Sequence, residues 1–331
     1  MPPLRILVVE DSLLAQQILV DIIESDPELK VVGTALNGQE GVRKTRELKP
    51  DLVTMDLMMP VMSGQEAIDQ IMSTNACPIL VISSNNDSQV AFDACSRGAL
   101  DVFSKDNLNP EKAEILTRKI KLLAKVKVIG HIRPRTEPPA SLGTNHREKK
   151  VVAIACSTGG PKALSQLFAM LPENYPHPIV VAQHIENGFS GGLVDWLNQV
   201  SPLNVELARA KDRLAPGTVH IAPPEKNMKV SPGGVLEFID RDPADRYAPN
   251  CDVLLTSVAQ AYGPKCIGVI LTGMATDGVA GIKTIRDQGG LTIAQDEATS
   301  VVFGMNRKAI EIGVIDRVLP IDRIGKLLVE L

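Results

Sequence analysis

The sequence predicts an α/β protein made of two doubly wound domains, and three observations support this fold class. The chain has 331 residues, more than one ordinary core would hold. Short apolar runs alternate with longer segments of helical period in both halves. A polar segment with three prolines, residues 130–150, interrupts this alternation. We therefore predict one domain over residues 1–129, a linker over 130–150 and a second domain over 151–331.

Five apolar runs predict the strands of the first domain. Each run is short and is followed by a stretch long enough for a helix, a pattern typical of buried parallel strands. The runs occupy residues 5–9, 31–35, 52–55, 79–82 and 101–103. Repeated units of this kind predict a five-stranded parallel sheet of the flavodoxin-like type, with functional side chains just beyond the carboxyl ends of the strands. We expect the last helix of this domain over residues 110–128.

The second domain shows the same alternation, interrupted by a turn-rich region that extends to about residue 247. The predicted strands before the interruption cover residues 151–155 and 179–182. Short antiparallel strands are predicted within it at residues 218–221, 228–230 and 235–238. The parallel pattern then resumes with a helix at 251–262, a strand at 266–271, a helix at 278–288, a strand at 291–295 and terminal helices. We therefore expect a mainly parallel sheet with an antiparallel excursion.

Composition and charge exclude several classes of function. Hydrophobic residues make up 44% and charged residues 22% of the chain, which predicts a folded protein. The 35 basic and 39 acidic residues leave no excess of positive charge for nucleic-acid binding. No apolar run approaches the roughly 18 residues of a membrane span, so we expect no membrane insertion. The five cysteines form no C-x-x-C pair, which favours free thiols and a cytoplasmic location.

Five polar residues follow four of the first domain's predicted strands: Glu10, Asp11, Asp56, Ser83 and Lys105. Because the carboxyl ends of parallel strands meet at one sheet edge, we expect these side chains to converge. The three facing carboxylates repel one another unless a hard cation lies among them, and Mg²⁺ suits such oxygen ligands. Asp56 is then the acceptor of a phosphoryl group, the lysine neutralises the transferred charge and the serine hydrogen-bonds the product. Taken singly, each residue could instead be a helix cap or a solvated charge.

These residues, together with the Asp-Leu-Met-Met-Pro-Val-Met-Ser-Gly segment at 56–64, resemble a response-regulator receiver domain. The resemblance covers residues 4–128 and implies phosphorylation of Asp56 by a histidine kinase, with Mg²⁺ on the three carboxylates. Two departures are visible. Val102 stands where receivers usually carry an aromatic switch residue, and Asp106 stands where a proline commonly follows the lysine.

A second set of polar residues follows strands of the second domain. Ser157 lies at a strand-to-helix turn whose Gly159 and Gly160 permit backbone N–H groups to approach an oxyanion. His184 and Asp277 follow two other predicted strands. A serine nucleophile needs a base, and the base needs a carboxylate, so these residues can supply an acyl-transfer triad without a cofactor. A serine cap or phosphate-binding loop, a structural histidine and a capping aspartate are the alternatives.

The chain order of the three groups, Ser157, His184 and Asp277, differs from the Ser, Asp, His order of α/β-hydrolases. That fold needs a late histidine, whereas His220 is the last histidine of this chain. Cys156 is an alternative nucleophile beside the serine. Because neighbouring residues at an extended strand end point to opposite sides, we expect the Cys156 side chain to face the core.

Short motifs in the second domain resemble those of the CheB methylesterase family. They are Cys-Ser-Thr-Gly-Gly, Gln-His, Ile221-Ala-Pro, Asp252-Val-Leu, Leu271-Thr-Gly-Met, Asp277-Gly-Val-Ala-Gly and Val302-Phe-Gly-Met. The resemblance implies a phosphorylation-activated protein-glutamate methylesterase of chemotaxis adaptation. Such an enzyme hydrolyses glutamate methyl esters on methyl-accepting chemotaxis receptors to glutamate and methanol, and many relatives also deamidate receptor glutamines. It also implies a chemotaxis-type histidine kinase as phosphodonor, and it places Thr158 and Met274 beside the nucleophile and the oxyanion.

The second domain also departs from the family pattern. Ala155 and Ala275 each replace a glycine, Asn306 replaces a proline, and Ile-Glu-Asn at 185–187 replaces Met-Pro-Pro after the histidine. The triad itself is intact. Because a rim charge changes partner selection more readily than chemistry, we expect the altered lip to affect the choice of receptor.

Together, the two sites suggest that the unphosphorylated receiver covers the esterase cleft and that phosphorylation of Asp56 opens it. Two rival functions belong to other classes. A transcription factor would need a small basic helix-turn-helix module, whereas residues 151–331 have an α/β pattern. A catalytically idle docking protein is opposed only by the intact triad, and an activity assay is needed to exclude it.

Overall fold

The computed structural model divides into two compact units, Met1–Pro134 and Arg135–Leu331. The residues that it describes are 2–84, 87–128, 149–242, 245 and 247–331. All of the predicted linker except residues 149 and 150 lies outside the described residues. No helix within the described ranges is both long enough and apolar enough to cross a membrane.

The first unit contains a five-stranded sheet in the order β2-β1-β3-β4-β5, in which every neighbouring pair is parallel. Its elements are β1 Leu4–Val9, α1 Leu13–Glu24, β2 Leu29–Ala35, α2 Gly38–Leu48, β3 Leu52–Met55, α3 Gly64–Thr74, β4 Ile79–Ser83, α4 Ser88–Ser96, β5 Asp101–Ser104 and α5 Ala113–Leu123. The five predicted strands are confirmed. The interior strands β1, β3 and β4 are buried on both faces, which explains their continuous apolar sequence.

The last helix of this unit is shorter than the predicted range 110–128. Residues 110–112 form a 3₁₀ turn whose start is capped by the Asn109 side chain, and α5 ends at Leu123. The core-facing stripe of α5 also ends at Leu123, and the residues after it are only partly buried or exposed. The sequence beyond Leu123 therefore has helical composition without a core to cover.

The second unit contains a seven-stranded sheet in the order β14-β13-β12-β6-β7-β9-β8 and a separate hairpin, β10-β11. Its elements are β6 Val151–Cys156, α6 Gly160–Phe168, β7 Ile179–Gln183, α7 Ser190–Val200, β8 Asn204–Leu207, β9 Thr218–Ile221, β10 Asn227–Val230, β11 Leu236–Ile239, α8 Cys251–Tyr262, β12 Cys266–Ile270, α9 Val279–Asp287, β13 Leu291–Gln295, α10 Met305–Glu311, β14 Arg317–Leu319 and α11 Ile321–Glu330. All pairs in the large sheet are parallel, and the hairpin is antiparallel. The predicted mainly parallel architecture with an antiparallel excursion is confirmed.

One strand assignment was wrong and two strands were missed. The strand at 218–221 was predicted to be antiparallel, but β9 lies in the main sheet, parallel to both β7 and β8. Strands β8 and β14 were not predicted, because each is a short edge strand with several exposed residues. Neighbouring turn residues hid the parallel pairing of β9, which depends on partners far away in the chain.

Two helical glycines of the second unit differ sharply in their surroundings. A Cβ on Gly281 in α9 would lie 2.6 Å from Leu255 Cβ and 3.1 Å from the Asp252 backbone of α8, so these two helices pack in direct contact at the glycine. A Cβ on the exposed Gly191 in α7 would meet nothing within 4 Å.

We predict that Gly281→Ala lowers the free energy of unfolding of the second unit by about 1 to 3 kcal/mol, because the methyl group overpacks the contact between α8 and α9. Gly191→Ala is the matched control and should be neutral or stabilising by up to about 1 kcal/mol. Urea unfolding followed by fluorescence measures this unit alone, since Trp196 is the chain's one tryptophan and is buried in α7. Equal stability of the two variants would contradict the prediction.

Candidate functional sites

The acidic pocket of the first unit lies at the carboxyl edge of its sheet, as the sequence predicted. Lys105 Nζ lies 2.9 Å from Glu10 Oε2 and 3.0 Å from Asp56 Oδ2. A carboxylate oxygen from each of Glu10, Asp11 and Asp56 lies within 4.8 Å of the other two. Glu10 and Asp56 are buried, whereas Asp11 is exposed. Ser83 is buried at the end of β4, where its hydroxyl donates to the Ser84 carbonyl at 3.4 Å.

The charges in this pocket influence one another strongly. Burial raises the pKa of Glu10, and the charge of Asp56 adds to this, while the hydrogen bond from Lys105 opposes it. Burial alone would lower the pKa of Lys105, but its hydrogen bond to Glu10 and the charge of Asp56 raise it above the ordinary value. The lysine is therefore firmly protonated. One lysine facing three carboxylates leaves the pocket negative, a donor set that fits a hard divalent cation.

The two departures from the receiver pattern have local structural effects. Val102 is buried in β5, and its carbonyl accepts a hydrogen bond from Lys119 Nζ at 3.2 Å. The N–H of Asp106 donates to Ser104 Oγ at 3.2 Å and so begins the 3₁₀ turn that carries Lys105. A proline at position 106 could not make this hydrogen bond.

His184 and Asp277 form a hydrogen-bonded pair at the carboxyl edge of the second sheet. Their Nε2 and Oδ2 atoms are 2.7 Å apart. Asp277 also accepts the N–H groups of Cys251 and Asp252, which begin α8, at 2.7 and 2.9 Å. Although burial favours the neutral acid, the hydrogen bond and charge of His184 and the two backbone donors lower the pKa of Asp277. The carboxylate is therefore ionised and can orient the imidazole ring.

Asp252 has a role that sequence reasoning did not assign. Its Oδ1 accepts the N–H groups of Gly278 and Gly281, which begin α9, at 2.9 and 2.6 Å. Asp252 on α8 thus caps α9, while Asp277 before α9 caps α8. An acidic residue in the first turn of a helix is ordinary, so the sequence contains no sign of this exchange.

Ser157 and His184 occupy equivalent positions on neighbouring strands. Parallel strands β6 and β7 align Cys156 with Gln183, and the His184 N–H donates to the Cys156 carbonyl at 2.9 Å. Ser157 follows Cys156 and His184 follows Gln183, so each comes one position after a member of the same matched pair. Both therefore lie on the same side of the sheet edge. The other ring nitrogen of His184, Nδ1, is buried and accepts or donates no hydrogen bond among the described residues.

A loop after β12 packs directly against the serine turn. The Thr272 carbonyl accepts the Ser157 N–H at 3.0 Å, and Thr272 Oγ1 donates to the Thr158 carbonyl at 2.9 Å. A Cβ on Gly273 would lie 2.7 Å from Ser157 Cβ, so only glycine permits this approach. Thr158 lies on the turn, and Met274 follows the glycine. Their place beside the oxyanion remains a prediction, and Thr272 is a further positioning residue that the sequence did not reveal.

Two further side chains surround the His184 ring. The Tyr247 ring stacks on it with centroids 4.8 Å apart and an interplanar angle of 7°. Cys251 Sγ lies 3.2 Å from His184 Nε2. Both contacts join residues more than 60 positions apart, so no local pattern could indicate them. Cys156 is fully buried and burial raises its pKa, which agrees with the prediction that its side chain faces the core.

Both units match models of known protein families. The CheB methylesterase family model matches residues 152–328, and the response regulator receiver domain model matches residues 6–117. The chain belongs to the CheB methylesterase family. The sequence-based prediction of this family, and with it the prediction of a carboxylic ester hydrolase joined to a receiver domain, is confirmed.

Several CheB-type relatives match nearly the whole chain. A protein-glutamate methylesterase/protein-glutamine glutaminase of Paramagnetospirillum magneticum is 44% identical, covering 99% of this chain and 96% of the relative. One from Anaeromyxobacter dehalogenans is 42% identical, with 99% and 97% covered. The crystal structure of the Thermotoga maritima CheB methylesterase catalytic domain has a TM-score of 0.53 and 40% identity, covering 56% of this chain and 99% of that domain.

We predict that Asp277→Asn in this CheB chain destabilises the second unit at pH 7. The free energy of unfolding should fall by about 2 to 4 kcal/mol, which lowers the urea midpoint. The folded pKa of Asp277 lies below its unfolded value of 3.8, so its stabilisation is complete above that pH and is lost as the pH falls through the folded value. The difference between wild type and variant should therefore narrow below about pH 4.

Trp196 fluorescence at a series of pH values measures this difference. Asp240→Asn is the control, because Asp240 is 92% exposed and its ion pair within the described part of the chain is with the exposed Lys226. It should change the midpoint little at any pH. A difference for Asp277→Asn that stays constant, or grows, on acidification would refute the assignment of an ionised, stabilising carboxylate.

Proposed function

We propose that this chain is a phosphorylation-activated protein-glutamate methylesterase that acts on methyl-accepting chemotaxis receptors. The observation that carries the proposal is the 2.7 Å His184–Asp277 hydrogen bond at the sheet edge, with His184 at the position on β7 that is equivalent to Ser157 on β6. Relatives named methylesterase and glutaminase at 44 and 42% identity support the substrate class. The expected reaction converts receptor glutamate methyl esters to glutamate and methanol.

The esterase step needs only side chains and backbone donors of this chain. Ser157 Oγ attacks the ester carbonyl, and His184 takes its proton at Nδ1 while Nε2–H donates to Asp277. The imidazolium then donates that proton to the departing methanol. Water, activated by the same ring, hydrolyses the acyl-enzyme and regenerates the serine. An amide substrate releases ammonia by the same sequence of steps, so receptor glutamines are a second expected substrate.

The turn that presents Ser157 also offers stabilisation for the oxyanion. Gly159 has a φ of +78°, a left-handed conformation that turns the chain directly into α6. The N-terminus of α6 directs the positive end of its dipole toward the nucleophile, while the Gly160 N–H donates to the Ser157 carbonyl at 2.8 Å and Pro161 has no N–H. We place the developing negative charge between this turn, which includes Thr158, and the loop that carries Met274.

In the first unit, we propose Asp56 as the phosphoryl acceptor and a chemotaxis-type histidine kinase as the donor. Three carboxylate oxygens within 4.8 Å of one another, on Glu10, Asp11 and Asp56, fit Mg²⁺. Bound there, Mg²⁺ neutralises charge on the transferring phosphoryl oxygens. Lys105, whose Nζ lies 3.0 Å from Asp56 Oδ2, adds a positive charge beside the acceptor, and Ser83 is expected to hydrogen-bond the phosphoryl group. The esterase step uses no cofactor in this mechanism.

We place this activity in the cytoplasm. All five cysteines are free and buried, which suits a reducing compartment. Balanced charge, 35 basic against 39 acidic residues, gives no support to a nucleic-acid partner. The rival of a docking protein without activity is distinguished by the following experiment.

We predict that wild-type protein releases methanol from a methylated receptor cytoplasmic fragment and that Ser157→Ala reduces the rate by at least about 10³-fold, since the nucleophile is lost. Cys156→Ala is the matched control at the adjacent position. It should retain activity within a few-fold, because the buried thiol does not face the base. Loss of activity in the cysteine variant with retention in the serine variant would overturn the triad. Absence of methanol release from wild type would favour the docking protein.

We also predict that a small phosphodonor with Mg²⁺ raises methanol release by wild type at least about 5-fold and leaves Asp56→Asn at its basal rate. Asp21→Asn, on the exposed face of α1, should respond like wild type. The measurement compares rates with donor, with donor plus a chelator, and without donor. Activation that survives in Asp56→Asn would show that another residue accepts the phosphoryl group.

A further inference from the structure

A group of three potential metal ligands lies at the β8–β9 edge of the second sheet, away from both sites described above. Glu206 of β8 aligns in register with His220 of β9, so their side chains lie on the same face of the sheet. Asp212 lies in the loop between these strands. One ligand atom from each residue, a carboxylate oxygen or a ring nitrogen, lies within 4.8 Å of the other two.

The histidine is the feature that needs an explanation. His220 is only 2% exposed, and among the described residues neither ring nitrogen has a hydrogen-bond partner of good geometry. The groups that influence the charge of the ring are Glu206, Asp212 and the Arg213 backbone, with which the ring makes a hydrogen bond of poor geometry. The Arg213 backbone can serve one ring nitrogen at most, and the other buried nitrogen costs free energy unless another group completes its bonding.

The carboxylates are oriented by other residues, yet each keeps one oxygen for a ligand. Glu206 Oε1 accepts a hydrogen bond from Asn204 Nδ2 at 2.6 Å, and Asp212 Oδ2 accepts the Arg209 N–H at 2.8 Å. Such hydrogen bonds to ligand carboxylates are typical of metal centres, where they orient the ligands.

We propose that Glu206, Asp212 and His220 bind a divalent transition-metal ion, with Zn²⁺ as the best match. An imidazole with two carboxylates favours Zn²⁺ over Mg²⁺ and Ca²⁺, which take oxygen ligands. Zinc bonds of about 2.0 to 2.2 Å place tetrahedral ligand atoms roughly 3.4 Å apart. The present separations need a shift on the order of 1 Å, which the exposed Glu206 side chain can make. Water completes the coordination.

The ion would stabilise the attachment of the β10–β11 hairpin to the main sheet, because the loop that contains Asp212 also pairs with this hairpin. The Leu236 N–H donates to the Asp212 carbonyl at 2.8 Å, and the Lys211 N–H donates to the Leu236 carbonyl at 2.9 Å. Joining Asp212 to β8 and β9 through a metal would therefore tie the hairpin to the main sheet. This inference is independent of the esterase chemistry.

The test uses the full chain, treated with a chelator and dialysed, and titrated with ZnCl₂ in excess Mg²⁺ so that the receiver carboxylates are occupied. We expect calorimetry to show one zinc equivalent that is absent from Glu206→Gln, Asp212→Asn and His220→Gln. Zinc should also raise the urea midpoint reported by Trp196 in wild type and not in these variants. Glu206→Gln keeps the test meaningful if the buried histidine variant misfolds, because Glu206 is exposed.

Matched controls separate this site from the other metal-ligand clusters. Glu237→Gln, an exposed residue of β11, and Asp11→Asn of the receiver pocket should bind zinc as wild type does. Co²⁺ in place of Zn²⁺ should give visible absorption without the thiolate band that Cys251 beside His184 would produce. Zinc binding that is unchanged in Glu206→Gln, or that is lost only when His184 or Cys251 is replaced, would overturn the proposal.

Discussion

The exchange of two carboxylates between neighbouring helices is the constraint on which the esterase site depends. Asp277 precedes α9 but accepts the first N–H groups of α8, while Asp252 on α8 accepts the first N–H groups of α9. Each helix thus directs the positive end of its dipole at a partly buried carboxylate associated with the other. Because Asp277 Oδ2 also accepts a hydrogen bond from His184, the position of the proposed catalytic base depends on the packing of α8 against α9. Gly281 permits that packing, since a side chain there would strike Leu255.

The two units carry different arrangements of charge at the same place in the fold. Both sites lie at the carboxyl edge of a parallel sheet, where strand ends converge. In the first unit three carboxylates face one lysine, and the resulting negative pocket suits a cation and then a phosphoryl group. In the second unit one ionised aspartate faces one histidine, and helix N-termini supply positive potential. This arrangement suits a serine attack that develops negative charge on the substrate.

The departures from the family pattern fall around the triad and leave it intact. Asn306 is fully buried, and its amide donates to the carbonyls of Ile270 and Gln295 at 3.2 and 2.8 Å, joining the ends of β12 and β13. A proline has no side-chain donor for this bridge. The Ile185 N–H donates to the Ala248 carbonyl at 3.0 Å, so the altered lip is attached to the segment that carries Tyr247. The altered lip and the stacked ring are therefore connected through the backbone beside His184.

The sequence by itself determined the two parallel sheets, the family and the candidate residues of both sites. Apolar runs such as 52–55 indicate buried strands but do not show which strands pair with them. Polar residues that follow strand ends, such as Asp56 and His184, can also be recognised from the sequence alone. Edge strand β8 could not be recognised in the sequence because half of its residues are exposed. Strand β9 was assigned the wrong direction because its pairing depends on strands that are distant in the chain. Only the tertiary structure decided which groups touch.

The clearest examples of that limit are the contacts around the histidine rings. Tyr247 stacks on His184 across 63 positions of sequence, and Glu206 meets His220 through strand register. Asp252 and Asp277 could each have capped its own helix, and the sequence supports either arrangement. Local propensity describes a residue and its near neighbours, whereas these contacts arise when separate elements pack and bury their polar groups together. The fold class and the chemistry of the triad follow from the sequence, and the partners that hold and tune it follow from packing.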